Sequence, residues 1–464
     1  MNKHNCADSG DNGAPRKVSG REIWTLTWPQ VLMMLFQFMV GFTDVWVAGR
    51  INSPVQAALG VVTQVFFFLL VIGTAISVSS VAAISQSLGA CRLLRAQRYL
   101  GLVLNLGIAC CILTLIVGFT LSSQIMYLMQ VPESILHIAE ELWTIFLLTI
   151  PSQYALVFSS AAFRASKNVR IPLYTSIIVF FFNVFLDFGL GLGYFGLPNM
   201  GALGLALGTF ISTLAGAVFN IYCLTRTGLL TKKSFAPLRW QKKAAPYLAK
   251  VALPAGASQF SWQLGYMVLF SITAGIPWDS VNTLAGLNAG LRVESILFLP
   301  AFAFSSTGAV LVGHYLGAGL PVEAKKVGLR VLGAGVGLMS LMALCMWPFV
   351  DELAAFMAPD PGVQLHAARY IRFNLSSTAF SIGSMILGGI LSGAGATIYT
   401  FVVFSFATWM VRLPLAWYMG YKVWESSSGI FFAMPVSQLC QFTIIMIIFL
   451  RGNWTRFAMR KPGH

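Results

Sequence analysis

The sequence predicts an all-α integral membrane protein with twelve transmembrane helices in two six-helix lobes. Hydrophobic residues make up 57% of the 464 residues and charged residues only 10%, whereas soluble domains carry roughly 25% charged residues. The apolar residues also form long blocks, since 56–90 and 99–132 contain no Asp, Glu, Lys or Arg. Because one crossing needs about 20 apolar residues, each block is long enough to span a bilayer. An internal repeat, described below, predicts the two lobes.

Gly, Pro, Asn and clusters of charge divide these blocks into twelve helices. We predict helices at 23–48, 56–86, 98–120, 138–163, 171–195, 200–225, 247–275, 282–312, 327–350, 367–391, 396–420 and 428–450. The organisation that follows is a disordered tail (1–20), an N-lobe (21–225), a basic linker (226–246), a C-lobe (247–451) and a second tail (452–464).

The two predicted lobes share a sequence pattern. Ser-Leu-Gly-Ala at 87–90 corresponds to Tyr-Leu-Gly-Ala at 315–318, at an offset of 228 residues. Near the start of each lobe, Trp28-Pro29 corresponds to Leu253-Pro254. With six helices per copy the repeats have parallel topology, an arrangement that transporters use to rock one lobe against the other around a site near the bilayer midplane.

Basic residues indicate the orientation, because Lys and Arg near helix ends are retained in the cytoplasm. The tails, the basic linker, the loops after the other even-numbered helices and the helix ends beside them carry 24 Lys and Arg. The opposite side carries four: Arg50, Arg369, Arg372 and Lys422. We therefore predict a multi-pass protein of the plasma (inner) membrane with both termini in the cytoplasm. The net charge of +15 is thus a topology signal, and we expect no nucleic-acid partner.

Two acids within the N-lobe helices are candidates for function, because an ionisable group in the hydrocarbon is costly. Asn183 and Asp187 lie four residues apart, on one face of a helix. A carboxylate beside an amide oxygen can hold a proton or coordinate a hard cation. The alternative for this pair is a structural hydrogen bond, and the alternative for Asp44 is an interfacial position paired with Arg50.

The charges within the C-lobe helices are Arg292, Glu294 and Arg412. Residues two apart on a helix point to different faces, so Arg292 and Glu294 should not neutralise each other. A pair between Glu294 and Arg412 is one reading, and structural salt-bridging or snorkelling is favoured over an ion pathway. These three residues are secondary candidates.

Aromatic and Met residues supply a candidate substrate cavity, since they suit organic cations through adaptable packing and cation–π contact. The candidate lining residues are Met33, Phe36, Gln37, Phe66 and Phe180. Pro29 removes a backbone hydrogen bond near the start of the first helix and is a candidate hinge.

Together these patterns resemble the multidrug and toxic compound extrusion (MATE) family over nearly the whole chain. The residues that carry the resemblance are Phe42-Thr-Asp44 to Gly49-Arg50 after Pro29, the Leu-Gly-Ala turns at 88–90 and 316–318, Asn183 and Asp187 followed by Gly201, Gly204 and Thr209, Gly393-Ala-Gly395, and Arg412-Leu-Pro-Leu-Ala416.

The resemblance implies a two-lobe antiporter that exports organic, often cationic or amphipathic, compounds in exchange for protons or sodium ions. Carried over by position, Asp44, Asn183 and Asp187 would form a proton or Na⁺ site in the N-lobe, with a hydroxyl from Thr209. Some members carry an acid in helix 7, whereas helix 7 here has none. We therefore expect coupling in the N-lobe, no cofactor other than the coupling ion, and a monomer whose partners are small organic solutes and membrane lipid.

Three alternatives remain at this point. A lipid-linked oligosaccharide flippase of related architecture would need more basic residues along its cavity than Arg292 and Arg412. A membrane-embedded enzyme needs a nucleophile or an acid–base group near His or Asp. We expect no histidine–carboxylate dyad, and therefore no enzyme. A channel would be separated from a transporter by a test of uphill flux.

Overall fold

The computed structural model describes residues 19–358 and 360–459. The predicted tails lie largely outside these bounds: residues 1–18 and 460–464 are not described. The described chain is helical throughout, without a β-strand. By contacts it divides into two compact units, one of residues 28–249 and one of residues 19–27 with 250–459.

The helices of the first unit match the predicted N-lobe helices to within a few residues at most ends. They are α1 (Gly20–Ile51), α2 (Ser53–Gly89), α3 (Leu93–Thr120), α4 (Ser122–Leu128), α5 (Glu133–Ala165), α6 (Arg170–Leu186), a π-helical turn (Asp187–Gly191) and α7 (Ala202–Arg226). A 3-10 turn (Lys232–Ser234) leads to α8 (Leu238–Ala274), whose first turns belong to this unit. Inside it α2 packs on α5, and α7 packs on both α5 and α6.

The second unit repeats this plan. It contains α9 (Ser280–Gly317), α10 (Pro321–Met346), a 3-10 turn (Trp347–Phe349), α11 (Val350–Met357), α12 (Pro361–Ser376), α13 (Thr378–Gly393), α14 (Thr397–Phe406), a π turn (Ala407–Arg412), α15 (Leu413–Tyr418), a second π turn (Met419–Val423), α16 (Ser427–Arg451) and a 3-10 turn (Trp454–Phe457). Here α9 packs on α13, and α13 packs on α16, which is the pairing of α2 with α5 and of α5 with α7 in the first unit.

Two short helices that we did not predict lie at matching positions in the repeat. α4 follows the third long helix of its half and α11 follows the corresponding helix of the other half, and their first residues, Ser122 and Val350, differ by the same 228 residues. Both are too short to cross a membrane. Their conserved place in both halves adds a second structural landmark to the repeat.

Ten helices among the described residues are long and apolar enough to cross a membrane, and a bent pair adds an eleventh. The remaining predicted span, 247–275, lies within α8, which is less apolar than the others. The bent pair is α12 and α13, which meet at 58° where we predicted one straight helix, 367–391. Ser377 lies at the break and donates back to the carbonyl of Asn374 at 3.0 Å; such back-bonding by Ser and Thr is known to bend helices.

The predicted basic linker is partly helical and packs on α3. Gly101 lets the linker backbone approach so closely that a Cβ there would lie 2.1 Å from the carbonyl oxygen of Ser234. The ring of Trp240 packs edge-on against Tyr99, with centroids 5.3 Å apart. A basic composition therefore did not make this segment a loose connection.

Polar side chains join helices in the interior of the first unit. Asn220 on α7 donates to Ser159 on α5 at 2.9 Å and accepts from Thr175 on α6 at 2.6 Å. Helices in a membrane gain little from the hydrophobic effect on associating with each other, so such bonds and close packing at small residues hold them together.

Candidate ion-coupling site

The candidate site of the first unit is built where α1, the end of α6 and α7 converge. Asp44 comes from α1 and Asn183 from the last turn of α6, while Asp187 is the first residue of the π-helical turn. The predicted i,i+4 pair is therefore present on one helix face. The third member, Asp44, lies 139 residues away in the chain from Asn183.

One amide serves both carboxyl groups. Asn183 donates from Nδ2 to Asp44 Oδ1 at 3.2 Å and to Asp187 Oδ1 at 3.4 Å. The two carboxyl groups are therefore close enough to interact with each other. Asn183 and Asp187 are fully buried, whereas Asp44 is half-buried. The three predicted residues thus form one compact group.

Two oxygen atoms of this group lack a partner among the described residues: Asn183 Oδ1 and Asp187 Oδ2. Both are acceptors, and most buried acceptors in proteins are paired. Two carboxylates in contact repel each other unless they share a proton or a bound cation. The chemistry of the group therefore fits a proton or a monovalent cation.

A glycine that we did not single out gives α7 its close approach to this group. A Cβ at Gly208 would lie 2.6 Å from Asp187 Oδ1. Thr209, which we expected to add a hydroxyl, is buried beside it but makes no hydrogen bond to the three polar residues. The spacing of Gly204 and Gly208, four apart in an apolar helix, is the signal for close helix packing that could have identified this position.

The alternative reading of Asp44, a pair with Arg50, is wrong. Arg50 lies six residues further along α1 and stacks over the ring of Trp46, 4.9 Å from the centroid. The Asp44 side chain is instead directed to Asn183. Asp44 thus belongs to the polar group between the helices.

The predicted cavity residues do not form a single group. Phe36 and Phe180 meet with ring centroids 5.4 Å apart, on the same two helices that bring Asp44 to Asn183. Met33 and Phe66 are buried, and Phe66 packs edge-on against Phe146, so both are packed core. Gln37 is exposed, and the candidate hinge Pro29 is buried within α1.

The secondary candidates of the second unit have different hydrogen-bond partners. Glu294 is buried and accepts from the hydroxyl of Tyr370, while Arg412 is buried and donates to Ser437 at 2.9 Å. Glu294 and Arg412 thus form no direct ion pair among the described residues, but they interact electrostatically, and Arg412 also stacks over the ring of Tyr266, 5.9 Å from its centroid. Arg292 is exposed, which agrees with the prediction that it and Glu294 point to different faces.

The expectation that no histidine has a carboxylate partner is also wrong. His366 Nε2 lies 2.9 Å from Asp279 Oδ2, and its Nδ1 lies 2.7 Å from Ser427 Oγ. His137 and Glu141, four residues apart in the sequence, come within 3.7 Å on an exposed face. Asp279, His366 and Ser427 are thus joined by hydrogen bonds, but Ser427 faces Nδ1 and Asp279 faces Nε2, the reverse of a hydrolase triad, and Ser427 is buried.

Comparison with known proteins decides the family. The MatE family model matches residues 29–188 and again residues 254–418, which together are well over half of the chain. The chain belongs to the MatE family. The two matches begin at the corresponding prolines, Pro29 and Pro254, so the same family model describes each half of the predicted repeat.

Relatives and solved structures agree with this assignment. The multidrug resistance protein PmpM of Pseudomonas aeruginosa is 26% identical over 427 residues, covering 87% of this chain and 84% of that protein. The multidrug resistance protein NorM of Burkholderia vietnamiensis is 23% identical over 440 residues, covering 91% and 92%.

Among solved structures, a variant of the Vibrio cholerae MATE transporter VcmN superposes with a TM-score of 0.86 at 18% identity, covering 94% of this chain and 98% of that one. A transporter of the MOP superfamily from Pyrococcus furiosus, described as having a binding pocket of reverse polarity, superposes with a TM-score of 0.84 at 15% identity, covering 96% and 100%. The predicted all-α, MATE-like membrane fold is thus confirmed.

Proposed function

We propose that this MatE protein is a secondary antiporter that exports organic, mainly cationic or amphipathic, compounds in exchange for inward protons or sodium ions. The observation that carries the proposal is the polar group of the first unit: two carboxyl groups, one shared amide and two unpartnered acceptor oxygens. The names of the relatives, multidrug resistance proteins, support the substrate class.

The geometry supports coupling through α1. Asp44 and Phe36 lie on α1, and their partners Asn183 and Phe180 lie on α6. A proton or cation that neutralises the carboxyl groups draws the two helices together, and loss of the ion separates them by repulsion. The aromatic pair next to the site then changes its packing and disfavours the bound compound. The ion biases the two states only by its differential affinity for them.

The test is dye efflux from proteoliposomes with a proton gradient or a sodium gradient imposed separately. Asp44→Asn and Asp187→Asn should each lower gradient-driven export to the passive leak rate, because an amide cannot gain or lose the coupling charge. Both variants should melt at the wild-type temperature or above it, since an amide is less costly to bury than a carboxyl group that ionises.

The matched control is Asp351→Asn, which makes the same change at an exposed acid paired with Arg372. It should export at the wild-type rate. If Asp44→Asn exported dye at the wild-type rate under both gradients, the polar group would have no role in coupling. The wild-type protein could instead export no dye under either gradient and flip labelled lipid-linked oligosaccharide. That result would contradict the antiporter and favour the flippase.

A further inference from the structure

A cavity of about 520 Å³ lies at the end of the first unit, beyond the polar group. Its walls come from the last turn of α1, the π-helical turn and the loop between that turn and α7. The lining residues include Trp46, Arg50, Phe188, Gly191, Tyr194 and Asn199. Its volume is within the range of sites that bind small molecules.

The cavity wall is fixed by backbone hydrogen bonds. Tyr194 donates to the carbonyl of Phe188 at 3.1 Å, Gly193 to that of Gly189 at 2.9 Å, and Met200 to that of Leu190 at 2.7 Å. Each bond ties the loop to the π-helical turn. A cavity whose walls are already held in place costs little ordering when a ligand binds.

The cavity is lined by a row of aromatic rings and by one cationic side chain. The ring centroids of Trp46 and Phe188 are 5.6 Å apart, and those of Phe188 and Tyr194 are 6.3 Å apart with nearly parallel planes. Arg50 stacks over Trp46, and no acidic side chain among the described residues pairs with it. Aromatic faces favour a planar ligand, and an unpaired guanidinium favours a carboxylate.

The cavity is joined to the polar group through the π-helical turn. That turn begins at Asp187 and supplies Phe188 and Gly191 to the cavity wall. On α1, Arg50 lies six residues beyond Asp44, which is about 9 Å along a helix. By the distribution of basic residues, Arg50 is on the side predicted to face away from the cytoplasm.

We propose that this cavity is a release subsite for the amphipathic part of the proposed substrates, and that it binds planar aromatic compounds carrying a carboxylate on their way out of the protein. Binding follows from the cavity alone, whereas the role in release rests on the proposed export function. An occupant packs on the turn that carries Asp187, so the departing compound and the coupling ion act on one structural element.

The first experiment measures binding in a neutral detergent, by calorimetry, with 2-naphthoate and its uncharged analogue 2-naphthylmethanol. The wild-type protein should bind the carboxylate about tenfold more tightly or better, as expected for one charge-assisted bond. Arg50→Gln should reduce this preference to within about twofold, since the ring contacts remain. Trp46→Leu should weaken both ligands. Equal affinities in the wild-type protein, or an undiminished preference in Arg50→Gln, would overturn the proposal.

The matched control is Lys422→Gln, which removes one positive charge from the same predicted side of the membrane at an exposed position of the other unit. It should keep the wild-type preference; loss of the preference there would show a general effect of net charge and overturn the proposal. In nanodiscs, binding that persists in phosphatidylcholine but disappears in phosphatidylglycerol would assign the cavity to anionic lipid instead.

The second experiment tests release in proteoliposomes, with 2-naphthoate added to the side that receives the exported dye. The ligand should slow export by the wild-type protein and leave Arg50→Gln unaffected. Binding without this inhibition overturns the role in release. Export without naphthoate is measured in the same vesicles, so failure of the proposed function is recognised separately.

Discussion

Asn183 is the residue on which the candidate site depends, because its one amide nitrogen serves carboxyl groups from two different elements. Two buried carboxyl groups in contact are unfavourable without a shared proton, a cation or a donor. Asn183 supplies the donor and leaves its own oxygen without a partner. The site therefore has both the charge and the free acceptors that binding and releasing a small cation require.

Gly208 gives a prediction at this scale. Gly208→Ala places a methyl group 2.6 Å from Asp187 Oδ1, so Asp187 or α7 must move. We expect the variant to lose about 1–3 kcal/mol of stability, as overpacked sites do, and to export more slowly than the wild-type protein. Thermal melting and dye efflux measure the two effects.

The matched control for this change is Gly60→Ala, because Gly60 lies in α2 with nothing near the position of the added Cβ. It should melt at the wild-type temperature or slightly above, since alanine favours a helix over glycine. Equal melting temperatures and export rates in the two variants would show that α7 has room to shift and that its close approach to Asp187 is unimportant.

At the scale of elements, the segment between the two halves is held against α3 by backbone packing. The contact depends on Gly101, whose Cβ would meet the carbonyl oxygen of Ser234 at 2.1 Å. Backbone cannot rotate away from such a contact as a flexible side chain can. The start of α8 is therefore a fixed part of the first unit, supported by Tyr99 and Trp240.

Gly101→Ala should displace this segment and lower the melting temperature, with a cost of about 1–3 kcal/mol or more. Limited proteolysis between Thr227 and Pro237 should become faster than in the wild-type protein. Gly333→Ala is the control, since Gly333 lies in α10 with nothing near an added Cβ. Unchanged proteolysis and melting in Gly101→Ala would mean that the contact is easily relaxed.

At the scale of the whole molecule, the two halves share a helix plan but not their polar residues. The first unit holds the two acids joined by Asn183, whereas the second holds one acid and one base, Glu294 bonded to Tyr370 and Arg412 bonded to Ser437. Duplication therefore preserved the backbone pairing, which depends on small and apolar residues, while the buried charges diverged. This asymmetry favours coupling through the first unit.

The orientation gives a prediction at this scale, because both termini are expected in the cytoplasm. Cys91 is exposed in the turn between α2 and α3, on the predicted inner side. Glu352 is exposed on α11, on the predicted outer side. In single-cysteine proteins, a membrane-impermeant maleimide should label Glu352→Cys in intact cells and Cys91 only after permeabilisation. The reverse pattern would invert the topology.

The sequence alone predicted most of the long apolar helices, the repeat and the i,i+4 pair of Asn183 and Asp187. These follow from local rules, because a bilayer requires long apolar runs and a helix fixes which residues share a face. The same rules did not reveal the break at Ser377, where side chains bond back to the preceding turn.

Only the tertiary structure decided which residues meet across the fold. It directed Asp44 to Asn183, 139 residues away, and placed Gly208 against Asp187 in the place expected for the hydroxyl of Thr209. It also gave Glu294 and Arg412 different hydrogen-bond partners, Tyr370 and Ser437, and joined His366 to Asp279, 87 residues away. These contacts depend on the rotation and close packing of helices against one another, which local periodicity does not specify, because many pairings bury the same apolar faces equally well.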